Sequence, residues 1–185
     1  MPSGARGLLE PKAALPAVSQ LRMPPRILSA DVNHRTATWG PLFFVVWMGA
    51  IEVRVTELIQ TRLRSHAGTL PTGRTALFTI VEETAPLPSS EGRAALSNIL
   101  RHCTDEVFAS AVVMEGDGFR ASAVRSVATG LSLVARQPFP HRVFRRVQDG
   151  GQWICSSFSE PEGLTLSTLH GAVNAVRAKG QPAIR

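Results

Sequence analysis

Residues 108–135 read FASAVVMEGDGFRASAVRSVATGLSLVA. Residues 109–114 are a short apolar run that suits a buried strand, and Glu115-Gly116-Asp117-Gly118 is a turn. From Phe119 the apolar period changes, with Val124, Val127, Ala128, Leu131 and Val134 on one helical face. A buried strand, a tight turn and an amphipathic helix make half of a βαβ unit.

The same unit recurs upstream. Residues 75–81 (TALFTIV) read as a strand and 84–88 as a Pro-containing loop. Ser89 or Ser90 then supplies a helix N-cap, with Glu91 favourable in the first turn. That helix runs to about His102 and points Ala95, Leu96, Ile99, Leu100 and Cys103 inward. Before it, residues 42–48 (LFFVVWM) are apolar enough to be buried on both faces. Gly49 ends this strand, and a helix over 52–65 follows, with Val55, Leu58, Ile59 and Leu63 inward. Residues 26–38 alternate weakly and are expected to form one edge strand, ended by the Trp39-Gly40-Pro41 turn.

Downstream, Gln137-Pro138-Phe139-Pro140 stops the central helix. Residues 141–147 (HRVFRRV) make a polar strand suited to a sheet edge, 148–156 suit a single helical turn, and 164–178 form a last amphipathic helix. Trp47 is expected in the core, Trp39 and Trp153 nearer the surface. The order is β-β-α-β-α-β-α-β-α. Helices between apolar strands imply right-handed crossovers, hence an α/β fold with a mostly parallel sheet covered by helices. Residues 1–25, rich in Gly, Ala and Pro, are expected to be a disordered arm, with Met23 a candidate for the true start. Residues 26–180 then form a single domain, and 181–185 a tail.

Composition narrows the function classes. Hydrophobic residues make up 44% and charged residues 18% of the 185, as in globular proteins. The net charge is +6, but half of it lies in the first 36 residues, where five basic side chains face two acidic ones. Residues 37–150 hold twelve basic and ten acidic side chains. Without a basic stripe, an aromatic-interleaved basic patch or any Tyr, the chain is not expected to bind nucleic acid. Residues 41–51 are apolar but far short of the roughly 20 needed to span a bilayer. No apolar leader segment is visible, and Cys103 and Cys155 suit reduced thiols, so a cytoplasmic location is expected. The Arg-rich, Lys-poor usage suits a GC-rich, bacterial genome.

The element order, and the style of VVMEGDGFRASAVRSVATGL at residues 112–131, resemble the STAS domain, in particular its SpoIIAA-like branch of anti-sigma factor antagonists. That resemblance covers about residues 27–178. It implies a non-catalytic regulatory module that docks a protein partner, a kinase or an anti-sigma factor. In such antagonists a serine at the start of the helix after the third strand is phosphorylated, usually within Asp-Ser-Ser-Gly. The matching place holds Leu87-Pro88-Ser89-Ser90-Glu91-Gly92, with Pro in place of Asp and Glu inserted before Gly. Ser89 and Ser90 are therefore the candidate phospho-switch, with ordinary N-capping as the competing role. A phosphate there would meet the free N–H groups and dipole of a helix N-terminus.

A competing reading is a small enzyme, or a ligand or lipid carrier, using the acidic carboxyl-terminal edge of the sheet. Glu82, Glu83, Glu115 and Asp117 lie just past the ends of central strands, where open α/β sheets bind ligands. Gly116 and Gly118 belong to Gly116-Asp117-Gly118-Phe119-Arg120-Ala121, a loose dinucleotide fingerprint. Glu115 and Asp117 would place negative charge where a pyrophosphate lies, so turn glycines are the expected role. The five histidines lack metal-ligand spacing, and Ser122, Ser126 and Ser132 lack a nucleophile elbow. No catalytic residue, metal or cofactor is expected.

Overall fold

The computed structural model describes residues 21–116, 126, 137–158 and 164–178. The helix expected over 119–135, including Asp117 and Gly118 before it, lies outside these apart from Ser126, as do residues 1–20 and the 181–185 tail.

The described strands are β1 (Arg26–Ala30), β2 (His34–Trp39), β3 (Leu42–Trp47), β4 (Thr75–Val81), β5 (Val107–Met114) and β6 (His141–Phe144). The described helices are α1 (Val53–Ala67), α2 (Ser90–His102), α3 (Val147–Ser156) and α4 (Leu166–Ala178). All six strands form one sheet in sequential order. β1 pairs with β2, and β2 with β3, antiparallel; β3 through β6 are parallel neighbours. The fold is thus α/β, with a mostly parallel sheet and an antiparallel meander at its start.

Two expected elements are corrected. Residues 26–38 form a hairpin rather than one strand. Asp31 turns the chain: its Oδ1 accepts the backbone N–H of Asn33 and of His34, each at 2.8 Å. Such a side-chain-to-backbone turn is available to Asp and breaks a weakly alternating strand in two. Residues 148–156 contribute to a ten-residue helix, α3, instead of one turn. Its Gly150-Gly151 pair reads locally as a helix breaker, yet both glycines are buried. A Cβ on Gly150 would sit 2.8 Å from Val113 Cγ2, and one on Gly151 2.8 Å from Leu169 Cδ2. The glycines let α3 press against both β5 and α4.

The core lies on both faces of β3, whose six residues are all buried. Phe43, Val45 and Trp47 face α1 and α2, meeting Ile59, Leu63, Ile99 and Cys103. Leu42, Phe44 and Val46 face α3 and α4, meeting Ile154, Leu169, Val173 and Val176. The inward positions of α1 recur every four residues, at Ile59, Leu63 and Ala67. Leu58, expected inward, is 41% exposed. Trp39, expected nearer the surface, is buried, and its Nε1 donates to Met23 O at 2.9 Å. Leu21 also packs against the α3–α4 core. Among the described residues no helix is long and apolar enough to cross a membrane.

Candidate functional site

The parallel strands end together. Trp47, Val81 and Met114 lie in register as the last residues of β3, β4 and β5. Because β2 runs antiparallel, its first residue, His34, lies opposite Trp47 at the same edge. The β1–β2 turn, the starts of α1 and α2 and the loop after β5 therefore gather on one side of the sheet.

Glu82 and Glu115 leave β4 and β5 here, and α4 closes over them. Arg177 Nε donates to Glu82 Oε1 at 2.7 Å, and its Nη2 donates to Glu115 Oε2 at 2.5 Å. The three side chains are 24–30% exposed, so the pairing is only partly screened by water. The backbone that carries Arg177 is itself held: Arg35 of β2 donates to the carbonyls of Val176 and Arg177 at the C-terminal end of α4. Arg177 and Arg35 carry no motif, and their partners lie 62 to 142 residues away in the chain. No local sequence signal marks them.

Glu83 is placed differently. Gly116 has φ +103°, open to glycine and strained for other residues. A Cβ there would sit 2.8 Å from Glu83 Cγ. Gly116 thus serves a turn and a close approach. Asp117 and Gly118, the remaining members of the proposed ligand edge, lie outside the described residues. Among the described residues no group of three or more His, Cys, Asp or Glu is placed to hold a metal ion.

Next to Gly116 a cleft of about 720 Å³ opens at the ends of β5 and β6. Glu115, Gly116, Val143, Phe144, Arg145, Arg146 and Asp149 line it. Arg146 grips Asp149 through two bonds of 2.8 Å. That hydrogen bonding holds the Asp149 carboxyl below its ordinary range and raises the Arg146 guanidinium.

At the start of α2, Ser89 is the N-cap: its Oγ accepts from Gly92 N at 3.0 Å. Ser90 is the first helical residue, and both serines are exposed. Arg93 Nη1 fastens the preceding loop by donating to Pro88 O at 2.8 Å. Gly92 lies against the β3–α1 loop, where a Cβ would meet Ile51 O at 3.4 Å. Leu87 just before the cap is 48% exposed. The exposed carboxylates of Glu52, Glu83 and Glu91 belong to the same edge. The serines and the acidic strand ends therefore share one side of the sheet but not one site.

No family model, no curated protein and no solved structure matches this chain.

Proposed function

We propose that the chain is a protein-binding regulatory module of STAS, SpoIIAA-like type, working by docking rather than by chemistry at its acidic edge. The observation that carries this reading is the N-terminus of α2. Two exposed serines there stand beside an exposed leucine, while Arg177 occupies the neighbouring carboxylates. A phosphate added at Ser89 or Ser90 would bring about −1.5 to −2 charges to that surface without disturbing the core. Helix N–H groups favour such an anion, so the fold would survive while docking changed. The partner expected from the resemblance is a kinase or an anti-sigma factor.

The experiment compares the parent with Ser89→Ala/Ser90→Ala and Ser89→Asp/Ser90→Asp variants as baits in extract of the native host. Captured proteins are quantified and the baits searched for phosphoserine. The reading expects a protein held by parent and Ala variant but released by the Asp variant. Equal capture by all three would leave Ser89 as a helix cap and nothing more.

A second reading, a small-ligand carrier, is favoured by the 720 Å³ cleft. Its charged lining of Glu115, Arg145, Arg146 and Asp149 suits a small polar ligand better than a lipid tail.

A further inference from the structure

The β1–β2 hairpin holds a second constellation, separate from the α2 surface and the cleft. Ser29 Oγ lies 3.2 Å from His34 Nε2. The other ring nitrogen, Nδ1, lies 2.8 Å from Asp31 Oδ2, in ion-pair contact though off the hydrogen-bonding direction. A hydroxyl, an imidazole and a carboxylate thus lie in the order that activates a serine, with one partner near each ring nitrogen.

The hairpin builds this arrangement from within. Asp31 is fixed by the turn, its Oδ1 accepting the Asn33 and His34 amides. His34 is 3% exposed, and its ring tilts against Trp47 at 5.8 Å between centroids. Ser29 reaches His34 because β1 is bulged. The register shifts between Ile27 and Ser29, so that Ser29 pairs with Thr36 and Ala30 with Arg35. Without the shift, continuing from Ile27 opposite Ala37, Ser29 would face Arg35, on the α4 side of the sheet. Bulges re-aim side chains in this way and are over-represented beside active sites. Thr36 Oγ1 lies 2.7 Å from Ser29 Oγ and also accepts from Arg62 Nη1 at 3.3 Å. Thr36 thus links the Ser29 hydroxyl to the Arg62 guanidinium. β1 is an edge strand, Ser29 is only half-buried and Asp31 is exposed.

We propose that Ser29 is a nucleophile, with His34 as its general base and Asp31 as the group that orients the imidazole, and that the hairpin hydrolyses small esters. Ser29 Oγ forms a bond to the ester carbonyl carbon while its proton passes to His34 Nε2. The tetrahedral oxyanion collapses, the bond to the alkoxy oxygen breaks, and the alcohol leaves with the proton from His34. Water then attacks the acyl-serine, giving its proton to His34. Collapse releases the carboxylic acid and returns the proton to Ser29 Oγ. Tight seating of Asp31 against the ring is left to the substrate-bound state, as is common for catalytic hydrogen bonds.

The full chain is treated with an alkyl fluorophosphonate, which loses fluoride as a serine oxygen bonds to phosphorus, and the modified peptide is identified by mass spectrometry. Hydrolysis of p-nitrophenyl acetate is followed in parallel. The expected result is an adduct on Ser29, absent from Ser29→Ala and unaffected by Ser65→Ala. Labelling and hydrolysis should fall about 100-fold in His34→Gln and also fall in Asp31→Asn. Because His34 is buried, the exposed Asp31 variant provides the test if His34→Gln does not fold. No adduct on Ser29 in the parent overturns the proposal. So does labelling at the parent rate by a folded His34 or Asp31 variant, which would leave the three residues as a hairpin lock.

Discussion

The two helical layers cover the same sheet by different means. On one face, α1 and α2 bury spaced residues such as Ile59, Leu63, Ala95 and Ile99 and leave Leu58 exposed. On the other, α3 places two glycines against Val113, Phe144 and Leu169, so that backbone, not side chain, forms part of the contact. The first layer tolerates change at its margins, whereas the second has no room for one added carbon. Interiors packed this closely respond to single methyl groups.

The harshest way to test this contrast is through the strand between the layers. Val113 is fully buried toward α3, while Val112 is half-buried on the opposite side. Val113→Asp buries an unpaired carboxylate, at a cost of about 3–5 kcal/mol, enough to unfold a marginally stable domain. Val112→Asp should be milder. Circular dichroism and urea melts compare them, and equal effects would mean that the α3 layer is no tighter than its opposite.

Acid should act on one face only. His141 pairs with Ser110, which points away from the α3–α4 layer that Ala109 and Ala111 face, and so shares the α1–α2 side with His66. Burial pushes both His66, on α1, and His141, opening β6, down to about 4; a backbone contact to Gly40 partly offsets this for His66. The unfolded chain binds protons at about 6.5 and the folded one does not until about 4. Stability is therefore full above pH 6.5 and falls as the pH drops toward 4, by about 1–2 kcal/mol per histidine at pH 5. Urea midpoints at pH 7.5 and 5 give the slope, and His66→Gln and His141→Gln should each remove part of it.

Glycine substitutions give opposite signs. Gly150→Ala drives a methyl into Val113 and should cost about 1–3 kcal/mol. Gly92→Ala, in the first turn of α2, meets only ordinary contacts near 3.4 Å and should be neutral or stabilising by up to about 1 kcal/mol. Thermal melts showing the same loss for both would erase the distinction.

The smallest effect concerns the edge that joins the layers. Arg177→Ala frees Glu82 and Glu115 and should lower stability by about 1 kcal/mol. Mg²⁺ should leave the melting temperature of the parent unchanged and raise that of the variant slightly, because only there do two carboxylates lack their cation. A clear Mg²⁺ shift in the parent would favour a metal-using edge.

Much of this was legible locally. The run LFFVVWM is apolar at every position, so it reads as a strand covered on both sides, and β3 is that strand. Ser89 or Ser90 reads as the cap before Glu91, and Ser89 is that cap. The hairpin was hidden because β1 is an edge strand with a bulge, which breaks the alternation a strand is recognised by. α3 was hidden because two glycines weaken any helical reading, and their reason lies in β5 and α4.

By itself, then, the sequence determined the α/β class, the mostly parallel sheet and a serine cap at the start of α2, since hydrophobic period and capping act between residues a few positions apart. Only the tertiary structure decided that Arg177 closes the acidic edge, that the glycines of α3 are packing positions, and that a bulge turns Ser29 toward His34. Each depends on contacts made only when the sheet has formed. Charge pairing and close packing act through space, and chain distance carries no trace of them.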